Sequence, residues 1–290
     1  MTSAWRRGWS WSAGWLAICF REPLPRGDDM ERDYLEAATD KLAELIGKSK
    51  RVVVFTGAGI STESGIPDFR GPDGLWSKYD PDEFTYQKFI RDREVRKKYW
   101  QMLTGTFRLD NAQPNAAHYA IAELEKLGRL DCVITQNVDD LHQKAGNSRN
   151  KVFELHGNVQ WTRCLSCGQR YPMAEIRRWL GQGVEVPECQ SCKGIIKTEG
   201  ISFGEPLPQD VLQEAMRRST ACDLFIVIGS TLLVTPAAYM PQYALQSGAK
   251  LVIINLGSTP LDSQSHLLIP GKAGEVMSLV VTKVKARLRS

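Results

Sequence analysis

Five short apolar runs, rich in β-branched residues, limit the folds open to this chain more than any other feature of its sequence. The runs cover residues 52–55, 132–135, 224–228, 251–254 and 267–269. Because the runs are apolar on both faces, they are typical of parallel strands that helices cover on each side. Between them, apolar residues recur at helical spacing in residues 35–45, 117–127, 211–216 and 276–288. This alternation predicts an α/β fold with a doubly wound, Rossmann-like parallel sheet.

The spacing of the cysteines indicates a metal site. Four of the seven cysteines form two Cys-x-x-Cys pairs, Cys164 with Cys167 and Cys189 with Cys192. Each pair brings two thiolates to one tight turn, and four thiolates complete the tetrahedral shell of a structural zinc ion. The odd total argues against the disulfide framework of a secreted protein. We expect one structural zinc ion per chain, with two redox-active pairs as the alternative.

Two segments interrupt the alternation of strands and helices. Residues 71–111 are polar, aromatic and charged, and residues 161–200 contain the four paired cysteines. We expect a helical insertion at 71–111 and a zinc-binding module at 161–200, which together form a smaller lobe beside a cleft. The Rossmann-like domain then consists of residues 30–70, 112–160 and 201–290.

The first 29 residues differ in composition from the rest of the chain. They hold four of the eight tryptophans and a short apolar run at 15–20. Since that run is short for a secretion signal, we expect a disordered extension and Met30 as the natural start. No run reaches the roughly 18 apolar residues of a membrane span. The sequence therefore predicts a cytoplasmic protein with no membrane partner.

The charge of the chain gives little drive for binding nucleic acid. Lysine and arginine total 37 against 33 acidic residues, which leaves a net charge of +4. Within residues 161–200, glutamates offset the basic side chains. A zinc ribbon that binds nucleic acid needs a basic stripe instead. We expect no direct nucleic-acid partner.

A glycine-containing loop follows the first predicted strand. Gly57, Ala58 and Gly59 allow the backbone to approach a pyrophosphate at the start of a helix. Thr62 stands where the dinucleotide fingerprint has its third glycine, so the match is partial and a plain tight turn is the alternative. Further along, Arg70 is suited to bidentate pairing with phosphate, with an ordinary surface arginine as the alternative.

Polar side chains follow three of the predicted strands. Gln136, Asn137 and Asp139 come after the second strand. Small polar groups follow the later strands, at Gly229, Ser230, Thr231 and Asn255. Because the carboxyl ends of parallel strands face the ligand crevice, we expect these groups to contact a nucleotide. Helix capping by Asn137 or Asp139 is the alternative.

One of the four histidines lies between the predicted sheet and the cysteine segment. His156 sits in the sequence Glu-Leu-His-Gly, and its ordinary pKa range suits a general base. His118 lies inside a predicted helix and His266 in a polar loop, so we interpret both as structural.

Six motifs in one order together resemble the sirtuin family of NAD-dependent protein-lysine deacylases. The resemblance covers residues from about 35 to 285. The motifs are Gly-Ala-Gly-Ile-Ser, Gly-Ile-Pro-Asp-Phe-Arg-Gly, Thr-Gln-Asn-Val-Asp, Glu-Leu-His-Gly, the paired Cys-x-x-Cys module and Ser-Phe-Gly-Glu. The resemblance implies that the Rossmann-like domain binds NAD as a co-substrate and that the partners are proteins with acylated lysines.

The resemblance also implies roles for individual residues. His156 is the implied general base, and Asn137 and Asp139 are the other implied catalytic residues. The residues implied to bind NAD are Gly57, Ala58, Gly59, Ile66, Asp68, Phe69, Arg70, Gln136, Asn137, Asp139, Gly229, Ser230, Thr231, Asn255, Lys272 and Ala273. The acyl-lysine peptide is implied to lie as an added strand beside Phe203, Gly204, Glu205 and Val234.

The implied reaction couples removal of an acyl group to cleavage of NAD. The acyl oxygen attacks the ribose C1′ as nicotinamide leaves, and His156 draws a proton through the ribose hydroxyls. The implied products are free lysine, nicotinamide and O-acyl-ADP-ribose. Two alternatives use the same pocket: mono-ADP-ribosyl transfer to protein, and sensing of NAD or ADP-ribose without turnover.

Three departures from the family pattern bear on specificity. Asp140 stands where the family usually has glycine, and residues 197–200 replace a segment that usually contains proline. Relatives that remove acidic acyl groups carry Tyr-x-x-Arg in the helical insertion. The nearest match here places Met102 three residues after Tyr99. Since that position lacks the arginine, we expect acetyl or longer apolar acyl groups.

Overall fold

The computed structural model of this chain describes residues 28–289, apart from residues 70, 72, 73, 106, 108 and 110. The strands are β1 (Val52–Thr56), β2 (Cys132–Thr135), β3 (Val152–Glu154), β4 (Trp161–Cys164), β5 (Arg170–Pro172), β6 (Ile196–Thr198), β7 (Leu224–Ile228), β8 (Lys250–Ile254) and β9 (Leu267–Ile269). The helices are α1 (Asp28–Lys48), α2 (Tyr86–Arg91), α3 (Arg93–Thr104), α4 (Ala116–Lys126), α5 (Leu141–Ala145), α6 (Met173–Gly181), α7 (Gln209–Ala221), α8 (Met240–Gln246) and α9 (Ala273–Arg289).

The larger sheet of the described residues is parallel, with the strand order β3-β2-β1-β7-β8-β9. The chain runs outward from β1 in one direction and from β7 in the other, which is the doubly wound Rossmann order. The expected fold class is therefore confirmed. The topology reverses between β1 and β7, and in such sheets ligands bind outside the carboxyl ends at this point.

Both faces of the larger sheet are buried. Val52 and Val54 pack on one side with α1, α4 and α9, while Val53 and Phe55 pack on the other side with α7 and α8. Every residue of β1 and β7 is buried. Burial on two faces explains why these strands are continuous apolar runs in the sequence.

A smaller antiparallel sheet, in the order β5-β4-β6, belongs to the segment with the paired cysteines. It shares a separate hydrophobic core with α3 and α6, formed around Trp100, Phe107 and Ile176. The structure thus has a second lobe beside the larger sheet, built from the two segments that interrupt the strand and helix pattern.

Two local features differ from the sequence expectations. β3 was not predicted, because it has three residues and ends in Glu154. The first helix begins at Asp28, so residues 28 and 29 of the extension expected to be disordered are helical, and residues 1–27 lie outside the described residues. No helix in the described part of the chain combines the length and apolar character needed to cross a membrane.

Candidate active site

A cavity of about 750 Å³ lies along the carboxyl ends of β1, β2 and β7 and continues beneath the smaller lobe. It brings together all the described residues that the sequence analysis assigns to NAD, to the peptide or to catalysis. On the nucleotide side these are Gly57, Ala58, Gly59, Ile66, Asp68, Phe69, Gln136, Asn137, Asp139, Gly229, Ser230, Thr231, Asn255, Lys272 and Ala273. His156 lines the same cavity, together with Phe203, Gly204, Glu205 and Val234. Arg70 lies outside the described residues.

Three glycines allow the loops after β1 and β7 to touch. Gly57 N donates to Ile228 O at 3.1 Å, and Gly59 N donates to Gly229 O at 2.9 Å. A Cβ on Gly59 would lie 2.8 Å from Gly229 Cα, and Gly229 itself has a φ of +63°. The glycines therefore allow the backbones of the two loops to lie in close contact. Together the two loops form the floor of the cavity, the glycine floor. The amides of Gly57 and Gly59 are engaged with this second loop, unlike the direct approach to pyrophosphate that the sequence suggested.

A buried hydrogen-bond network holds the polar side chains after β2. Asn137 Nδ2 donates to Gly57 O at 3.2 Å and to Ser61 Oγ at 3.1 Å. Ser61 Oγ in turn donates to Asp139 Oδ2 at 2.7 Å. The network fixes Asn137 and Asp139 relative to the glycine loop. Ser61 was missing from the predicted site, although it is the serine of the Gly-Ala-Gly-Ile-Ser motif.

The two carboxylate oxygens of Asp139 accept hydrogen bonds from different partners. Oδ1 accepts from Leu141 N at 3.0 Å at the start of α5, whose N-cap residue is Asp140 and has no side-chain capping bond. Oδ2 accepts from Ser61. Burial raises the pKa of Asp139, while these hydrogen bonds act in the opposite direction. The result is a carboxyl group held in one orientation at the cavity wall.

His156 is oriented by the backbone of β2's following loop. Its Nδ1 lies 3.0 Å from Gln136 O, and since a carbonyl only accepts, Nδ1 carries the proton. Nε2 then keeps its lone pair available to accept a proton. Burial lowers the pKa of His156, and the bond to Gln136 partly opposes that shift. The ring is therefore neutral at neutral pH, as a general base requires.

The other three histidines have structural contacts, and one of them, His142, was not assigned from the sequence. His118 caps α4 by accepting from Asn115 N through Nδ1, and His266 Nδ1 accepts from Leu251 N at 3.2 Å. His142 Nε2 lies 2.9 Å from Thr56 Oγ1, inside the core. The interpretation of His118 and His266 as structural agrees with these contacts.

Aromatic side chains cover the middle of the cavity. Phe69 packs on Trp76 and Phe107, with ring centroids 5.4 and 5.9 Å away, and Trp76 packs on Phe203 at 5.9 Å. These contacts connect the loop after Gly65 to the helical insertion and to Phe203, one of the residues predicted to bind the peptide. The rings therefore give the middle of the cavity an apolar wall.

The inner end of the cavity is an apolar chamber. Its wall consists of Leu75, Phe84, Tyr99, Met102, Leu103, Phe107, Val138, Val159, Thr198 and Gly200. Tyr99 and Met102, both from the helical insertion, line it. The Tyr99 hydroxyl is hydrogen bonded to Thr198 Oγ1, and none of these described lining residues carries a charge.

The four paired cysteines converge on one point. Their Sγ atoms all lie within 4.8 Å of one another, with Cys164 to Cys192 at 3.5 Å and Cys167 to Cys189 at 3.6 Å. A tetrahedral zinc ion with Zn–S bonds of about 2.3 Å needs S···S distances of about 3.8 Å, so the cluster fits zinc. The Tyr171 hydroxyl contacts Cys189 Sγ at 3.2 Å and lowers the pKa of that thiol to about 6.

The two cysteine turns have the same backbone geometry. Gly168 N donates to Cys164 O at 3.0 Å, and Lys193 N donates to Cys189 O at 2.8 Å. Both donors have positive φ, +77° for Gly168 and +61° for Lys193. These are paired turns that aim two thiols each at a shared centre, which supports the structural zinc site over two separate redox pairs.

Comparison with known protein families agrees with this geometry. The Sir2 family model matches residues 57–236. The chain belongs to the Sir2 family. A relative from Archaeoglobus fulgidus, named NAD-dependent protein deacylase 2, is 47% identical over 88% of this chain and 99% of the relative. The NAD-dependent protein deacetylase 1 of Pyrobaculum aerophilum is 44% identical over 89% of this chain and 100% of the relative.

Solved Sir2 structures have the same fold. One, from work on the mechanism and regulation of Sir2 enzymes, has a TM-score of 0.79 at 47% identity and covers 88% of this chain and 100% of that chain. Another, described as Sir2 with a p53 peptide and NAD+, has a TM-score of 0.78 at 40% identity and covers 85% of this chain and 98% of that chain.

One departure of this Sir2 protein from the family pattern has a backbone explanation. Asp140 adopts a φ of +64°, a region that glycine prefers and that aspartate tolerates better than most residues. Its carboxylate points towards Arg149, with an oxygen to nitrogen distance of 3.6 Å. Asp140 does not line the cavity, and its nearest charged partner among the described residues is Arg149.

Proposed function

We propose that this Sir2 protein is an NAD-dependent protein-lysine deacetylase or deacylase, whose products are free lysine, nicotinamide and O-acyl-ADP-ribose. The observation that carries the proposal is the orientation of His156. Its Nδ1 is committed to Gln136 O, so Nε2 is free to accept a proton within the cavity that also contains Asn137 and Asp139. A site that only binds a nucleotide has no need of such a base. The names of the similar proteins support the same activity.

The residues present fit NAD along the carboxyl edge of the larger sheet. When bound, NAD supplies an ADP-ribosyl group, with nicotinamide as the leaving group. The Ser230 hydroxyl, beside the glycine floor, would bind its pyrophosphate, and Asn255, Lys272 and Ala273 would contact the adenosine end. Ala58, Ile66 and Asp139 surround the nicotinamide, with Asp68 in the same loop. Gln136 and Asn137 contact its ribose, and Gln136 Nε2 is already held by Ser230 Oγ at 2.7 Å.

The chain's own residues orient the reactants and move one proton. The carboxyl group of Asp139, fixed by Ser61 and Leu141, orients the carboxamide. Phe69 and its aromatic neighbours exclude water from the reacting carbon. His156 Nε2 takes a proton from a hydroxyl of the bound ribose, and a general base of this kind contributes about 10²–10⁴-fold in rate.

The apolar chamber supports a preference for acetyl or longer apolar acyl groups. An acyl group that ends in a carboxylate would need a cation in the chamber wall. Met102 provides only a thioether there. Met102→Arg places a guanidinium at this wall, so we expect the ratio of succinyl to acetyl removal to rise at least tenfold. A matched control is Met102→Leu, which conserves volume and leaves the ratio unchanged. A wild-type enzyme that removes succinyl faster than acetyl would contradict the preference.

The experiment that tests the function is mass spectrometry of an acetyl-lysine peptide incubated with the protein, with and without NAD. We expect a loss of acetyl that requires NAD and equals the O-acetyl-ADP-ribose formed. ADP-ribosylated protein with the acetyl group retained would support mono-ADP-ribosyl transfer instead. Binding of NAD with no nicotinamide released from any acyl peptide would support a sensor.

The proposal extends to the division of the chain and to its location. Residues 30–70, 112–160 and 201–290 form the NAD-binding domain, with the helical insertion at 71–111 and the zinc module at 161–200. One structural zinc ion is held by Cys164, Cys167, Cys189 and Cys192. Because these thiols must stay reduced to bind metal, we place the protein in the cytoplasm.

A further inference from the structure

Lys197, in the middle of β6, is a buried cation that the proposed chemistry does not use. Its side chain is 2% exposed. Its Nζ is hydrogen bonded to Gly200 O, donates to Thr198 O at 3.2 Å, and lies 2.8 Å from Glu205 Oε2. All three donors of the ammonium group are therefore satisfied.

The three acceptors of Lys197 belong to one segment, residues 198–205. This segment includes Phe203, Gly204 and Glu205, which line the peptide end of the cavity. Within it, Glu205 Oε2 also accepts from Ser202 N at 2.9 Å. One buried side chain thus draws together the beginning and the end of the segment.

The same segment is joined to the proposed general base. Ile201 N donates to His156 O at 2.8 Å, and Phe203 O accepts from Tyr86 N at 2.8 Å at the start of α2. A shift of residues 198–205 would therefore move the peptide edge relative to His156 and to the helical insertion. The nucleotide side of the cavity is held by other contacts, those of the glycine loops and the Asn137 network.

The strand that carries Lys197 also pairs with a strand that contains one of the clustered cysteines. In the pairing of β4 with β6, Cys164 faces Ile196 and Arg163 faces Lys197. The strand that carries Lys197 is therefore aligned by a strand that ends in a zinc ligand. This gives a continuous path from the thiol cluster, through β6 and the ammonium group, to the peptide edge.

The burial of this charge has an energetic cost that suggests a role other than stability. Removing an ammonium from water is expensive, and well-packed apolar residues often stabilise a core equally well or better. Burial lowers the pKa of Lys197, and Glu205 opposes that shift. In contrast to an apolar side chain, an ammonium with three acceptors fixes the backbone of the segment in one arrangement.

We propose that Lys197 is a positioning residue for the acyl-lysine peptide, which holds residues 198–205 in register with His156 and makes peptide binding depend on the zinc module. The inference rests on the proposed function, since it assigns the peptide to this edge. It predicts that the loss of Lys197 weakens peptide binding and leaves the nucleotide site intact.

The test measures two affinities of the zinc-loaded full chain by calorimetry, one for ADP-ribose and one for an acetyl-lysine peptide in the presence of ADP-ribose. For Lys197→Met we expect a peptide Kd at least tenfold higher and an ADP-ribose Kd within twofold of wild type. Lys197→Arg keeps a cation and recovers part of the loss. Arg163→Met, an exposed change on the adjacent strand, is the matched control and leaves both affinities unchanged.

A double-mutant cycle shows whether Lys197 acts through Glu205. If it does, Glu205→Gln also raises the peptide Kd, and the Kd of the double variant is little higher than that of Lys197→Met alone. Glu205→Gln conserves volume, so it tests the inference even where Lys197→Met does not fold. Additive losses would overturn the proposed contact.

Two results would overturn the inference while leaving the proposed function in place. One is a peptide Kd within twofold of wild type for both Lys197→Met and Glu205→Gln. The other is an equal loss of affinity for peptide and ADP-ribose, which would indicate a general structural role. Failure of the proposed function is distinct, because wild type itself would then remove no acetyl group in the presence of NAD.

Discussion

The larger sheet and the zinc module are stabilised by different interactions. In the larger sheet, both faces of β1 and β7 are buried, and two separate cores of apolar side chains cover them. In the module, β4 alternates exposed and buried residues, and β4, β5 and β6 have only three or four residues each. Such short strands bury little apolar surface, so the four thiols have to supply cross-links that the module's own core does not.

The comparison shows why the two regions contribute differently to one site. The sheet supplies fixed points, such as the glycine floor and the Asn137 network, at a rigid edge. The module supplies an edge for the peptide through residues 198–205. We therefore expect damage to the sheet to change chemistry directly, and damage to the module to act through the position of the peptide.

Removal of zinc is expected to have the largest effect. Binding of structural zinc contributes about 10–16 kcal/mol in small zinc-finger peptides, and in such sites this free energy is folding free energy. Chelation, or Cys167→Ser, should leave residues 161–198 unprotected in hydrogen exchange and reduce deacetylation at least 100-fold. Protection of β1 and β7 should persist, because apolar burial holds them.

Metal analysis of the same samples provides the control. Wild type should contain one zinc per chain, and readdition of zinc should restore both protection and turnover. Full hydrogen-exchange protection of the module in zinc-free protein would contradict the view that the module depends on the metal. The short strands would then be stable without zinc.

The His156→Ala variant should have the next largest effect, this time without unfolding either region. Loss of a general base lowers the rate by about 10²–10⁴-fold. Turnover measured at saturating NAD should fall by that amount, while the Kd for ADP-ribose stays within threefold and zinc content is unchanged. Turnover that matches wild type would remove His156 from the mechanism.

The same contrast explains what could be predicted from the sequence. The strands of the larger sheet are buried on both faces, so their apolar runs are visible without a structure. Short elements such as β3 and α6 owe their existence to packing in three dimensions and were missed. The cysteine spacing predicted the metal cluster because two tight turns are local structures.

The site was predictable in its residues and less so in its contacts. The polar residues at the strand ends converge on the cavity because parallel strands end at one edge. Ser61 and Lys197 act through partners 78 and 8 residues away in the chain, Asp139 and Glu205. No sequence pattern used in the analysis encodes these contacts, since they depend on how separate loops and strands are packed together.

Acidification from pH 7 to pH 5 should lower the free energy of unfolding by about 2 kcal/mol through the buried His118 of α4. Burial lowers the pKa of His118 to about 4, from an ordinary value of 6.5. The unfolded chain then binds more protons than the folded chain, so this contribution to stability is lost as the pH falls from 6.5 towards 4. His142 titrates in the same direction, with its pKa lowered by burial.

Urea unfolding at pH 7 and pH 5 measures this loss, and His118→Gln is the matched variant. Because glutamine does not titrate, the variant should lose less stability than wild type between the two values. Asp139 and Glu154, whose pKa values burial raises, act in the opposite direction in both proteins and cancel in the difference. Equal pH dependence in the two proteins would show that His118 is protonated in the folded state without cost.

The smallest effect is expected from the ion pairs on the surface of the zinc module. Glu199 accepts from Arg163 at 3.0 Å and from Arg170 at 2.7 Å, and both arginines are about half exposed. Since exposed pairs contribute about 0.2–1 kcal/mol, Glu199→Gln should lower the free energy of unfolding of the zinc-loaded protein by less than about 1 kcal/mol. Peptide affinity should not change, because the Glu199 carboxylate pairs with Arg163 and Arg170 and not with Lys197, which pairs with Glu205. A loss above 2 kcal/mol in denaturant unfolding would mean that the charged cluster, rather than the thiols alone, holds the module together.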